Sequence, residues 1–178
     1  MSNKNSVIAI YTNHIEAEDA VKELQKSGFD MKKASIVGKD YHSEEQVIGY
    51  YNTGDRVGYW GKLGAFWGAI WGFLFGSAMI FIPGVGPILV AGPLVGALVG
   101  ALQGAVITAG LSVIGAALYS IGIPKDSIIQ YETSLKSDKF LLIVHGSIEE
   151  VNMAHEILEA TKVEETAKFI STENIVAI

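Results

Sequence analysis

Between Gly58 and Ile123 the chain carries a single formal charge, Lys62, and every other Lys, Arg, Asp and Glu lies in the two flanks. So long an apolar run has to be buried, in protein or in lipid, because leaving that much apolar surface in water is strongly unfavourable. The 178 residues therefore divide into polar, apolar and polar parts, 1–57, 58–123 and 124–178. The net charge of −6 disfavours nucleic acid, which needs a basic footprint to displace counterions. Cysteine is absent, which excludes disulfides and thiol chemistry. The opening "MSNKNSVIAIYTNHIEAEDA" lacks the apolar centre of a signal peptide, so a cytoplasmic N-terminus is expected.

The flanks read as two βαβ halves. "SVIAIYT" is a β-branched, apolar strand, "NHIEAEDAVKELQKSGF" a helix with Ile15, Ala17, Ala20, Val21 and Leu24 largely on one face, and "KASIVG" a second strand. Asn13 and Glu16 have capping-box spacing, and Gly28 stands where the helix should stop. The pattern recurs in "FLLIVHG", "SIEEVNMAHEILEAT" opened by Ser147 and Glu150, and "ETAKFI". A further strand, "QVIGYYN" at 46–52, and a helix opened by Pro124 border the apolar part. Neither half can bury its own sheet face, so the expectation is one α+β domain, ferredoxin-like, formed by 1–57 and 124–178 and split by the apolar insertion.

Within the insertion, Leu63 to Ile82 is uncharged and would make about 30 Å of helix, the thickness of a bilayer core. Tyr59 and Trp60 stand where an interfacial aromatic belt would, with Trp67 and Trp71 further along. "IPGVGP" breaks the run at Pro83, Gly84, Gly86 and Pro87, and a second apolar run extends from Pro93 to Ile121. Glycines recur at every fourth position, Gly64, Gly68, Gly72 and Gly76 before the break and Gly92, Gly96, Gly100 and Gly104 after it, in mirror pairs centred on Gly84. Folded into a helical hairpin, each glycine would meet another at the same depth and let the backbones approach closely, the packing favoured in lipid. The small-residue stripe continues through Thr108, Ser112, Ala116 and Ser120 and implies a second contact, with another subunit or with the split domain. A buried hairpin in a soluble core is the alternative, but such helices usually keep one polar face, and here only Ser77, Gln103 and Thr108 are polar from Leu63 to Gly110.

"GKLGAFWGAIWGFLFG", "IPGVGP" and "AGPLVGALVGALQGA" together resemble the bacterial general-stress and low-temperature-induced membrane proteins, in which a glycine-zipper hairpin interrupts a small α+β domain. The resemblance implies stress induction and membrane association and supplies no catalytic residue. The expectation is then a non-enzymatic stress-response protein that self-assembles in the membrane, with lipid and further copies of itself as partners. Arg56, Lys62 and Lys125 at the hairpin base place the α+β domain and both termini on the cytoplasmic side. Two alternatives share the hairpin: a water-soluble or lipid-filled particle with hairpins pointing inward, and a pore lined by Gln103, Thr108 and Ser112.

No catalytic, cofactor or metal site is expected. "GYWGKLG" fails as a phosphate loop, because Arg56 stands where its first glycine belongs and Leu63 where Ser or Thr must follow the lysine. His14 and His145, near the ends of the equivalent first strands of the two halves, are the one pair that could approach each other as metal ligands.

Overall fold

The computed structural model describes residues 5–39, 77–82, 85–103 and 112–170. Among these, six strands form one sheet: β1 (Asn5–Tyr11), β2 (Ala34–Lys39), β3 (Ser77–Ile82), β4 (Gly86–Ala91), β5 (Phe140–Gly146) and β6 (Glu165–Phe169). Five helices accompany them: α1 (His14–Lys26), α2 (Leu94–Gln103), α3 (Val113–Ser120), α4 (Lys125–Lys136) and α5 (Ile148–Glu159). The strand order is β3-β4-β2-β5-β1-β6 and all five pairings are antiparallel.

Local signals fix the flanking elements. The Asn13 side chain accepts the Glu16 N–H at the start of α1, and Gly28 ends that helix at a φ of +76°. At α5 the capping box is complete, Ser147 accepting the Glu150 N–H and Glu150 accepting the Ser147 N–H. Glu150 also receives Lys33 in a 2.5 Å ion pair, which ties the helix start to the turn before β2.

The sheet is covered on both faces. Val7, Ala9 and Tyr11 of β1 and Phe140, Leu142 and Val144 of β5 pack under α1 and α5, against Ala20, Leu24, Val151 and Leu158. The alternate residues Ile8, Ile10, Leu141 and Ile143 point the other way and are buried beneath α2, α3 and α4 by Leu94, Leu98, Ile114, Leu118, Ile128 and Leu135. Period-two alternation thus feeds two separate cores, and the second is roofed largely by residues of the uncharged part of the chain.

This overturns the split ferredoxin-like domain with a long apolar helical hairpin. Where the first long helix and its tip were expected, Ser77–Ile82 and Gly86–Ala91 form a β-hairpin that pairs with β2 through Ile36↔Ala91 and Val37↔Val90. The physical reason is visible in the side chains. Ile80, Ile82, Ile88 and Val90 are buried while Phe81 and Pro87 are exposed, the alternation of a strand and not the stripe of a helix. Gly86, at a φ of +101°, supplies the left-handed residue after the turn, and the Val85 N–H closes it on the Ile82 carbonyl at 3.1 Å.

The second apolar run is also interrupted. α2 and α3 are separate helices of ten and eight residues, α3 opened afresh by Ser112, whose side chain accepts the Gly115 N–H. At 1.5 Å per residue they span about 15 Å and 12 Å, short of the roughly 30 Å a bilayer core requires. No helix among the described residues is long and apolar enough to cross a membrane. The expected membrane localisation, with cytoplasmic termini, is corrected accordingly.

Candidate functional site

Three glycines of the series, Gly92, Gly96 and Gly100, lie among the described residues, and they do not share one role. Gly92 turns the chain between β4 and α2 at a φ of +89°, and a Cβ there would lie 2.2 Å from the Ala34 carbonyl oxygen. Next to it, the Leu94 N–H donates to the buried Ser35 Oγ at 3.1 Å, so β2 itself caps α2. Gly96 and Gly100 lie exposed on α2, with no atom within 4 Å of where a Cβ would stand. Ser112 caps α3 and donates to the Glu132 carboxylate of α4, Ala116 is half-buried, and the Ser120 Oγ donates to the Ala117 carbonyl. Gly64, Gly68, Gly72, Gly76, Gly104, Thr108, Pro83 and Gly84 lie outside the described residues, as do the expected strand at 46–52, Arg56 and Lys62. Close packing against α4 falls instead on Gly115, where a Cβ would meet Glu132 and Ile128 at 2.9 Å.

His14 and His145 are not brought together. β1 and β5 run antiparallel, with Tyr11 opposite Phe140 and Ser6 opposite His145, so equivalent strand ends lie at opposite ends of the sheet. His145 is five positions beyond Phe140, roughly 17 Å along the strand. His14 sits by Phe140, ring centroids 6.3 Å apart. Among the described residues no three His, Asp or Glu side chains group as a metal site.

His145 has its own environment. Its Nδ1 is buried without a hydrogen-bond partner, as is the Oγ of Ser6 directly across the strand pair. Burial first, then the Lys33 ammonium, hold the imidazole below its ordinary pKa of 6.5, with Glu150 opposing. A histidine that resists protonation only in the folded state makes the unfolded state bind more protons in acid. Its contribution is therefore present above about pH 6.5 and is lost as pH falls through the depressed folded value. Denaturation midpoints measured between pH 7 and pH 5 should fall more steeply for the wild type than for His145→Gln; parallel curves would remove His145 from that role.

The surface that stands out is the β3 end of the sheet. From Ser77 to Ile123 the sequence has no formal charge, and this stretch supplies β3, β4, α2 and α3. Phe81 is 70% exposed on one side of the hairpin, and Val99 and Leu102 are exposed on α2, which roofs the other side. The opposite edge, β6, carries exposed Glu165 and Lys168. The hairpin was not legible in the sequence: "SAMIFI" is apolar from Ala78 to Ile82, and the in–out alternation of Ile80, Phe81 and Ile82 shows only in their burial.

Fold and surface together define an α+β protein with a six-stranded antiparallel sheet, two helical covers and one uncharged edge. Residues 6–80 match the heat-induced stress protein YflT domain. The match runs from β1 into β3 and covers less than half of the chain. Comparison with curated proteins and with solved structures returns no match.

Proposed function

We propose that this chain is a non-enzymatic stress-response protein that acts by associating with further copies of itself through the uncharged β3 end. The match to a heat-induced stress domain supports the stress-response part. The observation that carries the rest is the placement of exposed Phe81, Val99 and Leu102 on β3 and α2, within a part of the fold that holds no formal charge. Two copies of a chain with net charge −6 repel one another, and the repulsion is least where the approaching surfaces are uncharged. Sedimentation velocity over a wide concentration range tests the reading. Mass-action self-association is the expected result, and a monomer at every concentration would contradict it.

A further inference from the structure

We infer that His145 is an acid-operated latch: when its ring takes a second proton, the first turn of α5 and the adjoining end of the β1–β5 pair open while the rest of the sheet stays folded. The latch is independent of the association surface proposed above. His145 Nδ1 and Ser6 Oγ are both buried, on residues directly opposite each other across the strand pair, and neither has a hydrogen-bond partner. An imidazolium donates from both ring nitrogens, so protonation leaves a buried cationic N–H with no acceptor in place. The charged groups that act on the ring come from two other elements, Lys33 in the turn before β2 and Glu150 in the first turn of α5. Glu150 is already committed. One of its oxygens holds the Lys33 ammonium at 2.5 Å, and the other accepts the Ser147 N–H at 2.9 Å. Those same contacts keep the Glu150 carboxyl below its ordinary range, so it stays ionised from pH 7 to pH 5. The acid response in that window belongs to the histidine.

The surroundings set how far the opening runs. His145 is followed by Gly146 and then by Ser147, the N-cap of α5, and the Gly146 carbonyl accepts the Asn5 Nδ2 at 3.4 Å. Lys33 and Glu150 are each about one-third exposed, so water can take the place of their ion pair at small cost. Beyond them the structure is anchored. Val151, Ala154 and Leu158 of α5 and Phe140, Leu142 and Val144 of β5 are buried in one core. Release of the ring therefore loosens the cap of α5 and the Asn5–Gly146 end of the strand pair, and stops there.

Native-state hydrogen exchange on the full-length chain tests the latch, with His145→Gln as the variant that keeps a polar side chain but does not titrate. The Glu150 N–H donates to Ser147 Oγ and the Val151 N–H to the Ser147 carbonyl, so these two amides report the opening. Leu24 of α1 and Leu135 of α4, both fully buried, report global unfolding. With intrinsic rates corrected for pH, exchange at Glu150 and Val151 should be nearly independent of low urea, while exchange at Leu24 and Leu135 should rise steeply with it. Between pH 7 and pH 5 the opening constant at Glu150 and Val151 should increase by up to about 25-fold in the wild type, the limit for a histidine that regains its ordinary pKa on release. In His145→Gln it should not change. The wild type alone gives a second check: the His145 ring resonances should titrate with a midpoint below 6.5. Equal urea dependence at all four amides would make the opening global and overturn the latch. So would the same acid response in His145→Gln, no acid response in the wild type, or a ring midpoint at or above 6.5.

Discussion

Gly92→Ala should lower stability by about 4 kcal/mol or more, while Gly96→Ala and Gly100→Ala, four and eight residues away in the same series, should each raise it by up to about 1 kcal/mol. At Gly92 the φ of +89° strains any L side chain, and the new methyl would sit 2.2 Å from the Ala34 carbonyl. That oxygen belongs to β2, held by its pairing with β5, and cannot move aside cheaply. Gly96 and Gly100 are helical, exposed and uncrowded, so alanine there adds helix propensity without a clash. For a domain of this size the Gly92 effect corresponds to a fall in Tm of roughly 10 °C. Thermal melts of the three variants decide the point, and equal destabilisation at all three would restore a common packing role to the series.

Leu98→Asp should be comparably severe. Leu98 is 1% exposed in the core that α2 shares with Ile8 of β1 and Ile143 of β5. An aspartate there buries a carboxylate in apolar surroundings, with an expected loss of about 4 kcal/mol or more. Because the core is shared, the loss should be felt in the flanking strands. Amide hydrogen exchange at Ile8 and Ile143 should accelerate along with that of β4. Exchange that quickens in β4 and α2 alone would mean that the uncharged part folds independently of the flanks.

The flanking elements were legible because their signals are local. Asn13, Gly28, Ser147 and Glu150, and Pro124 before α4 all act within a few residues; at α1 only the Asn13 half of the expected capping box forms, the Glu16 carboxylate accepting the Thr12 hydroxyl. The uncharged part was misread because a continuous apolar run does not by itself distinguish a strand from a buried helix. The β-hairpin is centred on the same point, Ile82 opposite Gly86, Ile80 opposite Ile88 and Ala78 opposite Val90, but its register ends at Ala91, before Gly92, Gly96 and Gly100. One available signal pointed to the correct cover. Val7 to Tyr11 and Phe140 to Val144 are apolar at every position, which means both faces of those strands are buried, yet α1 and α5 can cover only one. The histidine pair failed for a different reason: sequence equivalence does not carry direction, and antiparallel pairing sends equivalent strand ends to opposite sides of the sheet.

The central claim is that the uncharged part of the chain completes the sheet, through β4 lying against β2. Since the chain has no cysteine, engineered pairs report this cleanly. Val37 lies directly opposite Val90, while Ile88 lies opposite Lys39. Directly opposed residues of antiparallel strands have Cα atoms about 4.5–5.5 Å apart, within disulfide reach, whereas the diagonal neighbour lies at about 7–8 Å, beyond it. Under mild oxidation Val37→Cys/Val90→Cys should crosslink within the chain, and Val37→Cys/Ile88→Cys should not. Failure of the 37/90 pair to close in folded protein, or equal closure of both pairs, would contradict the sheet described here.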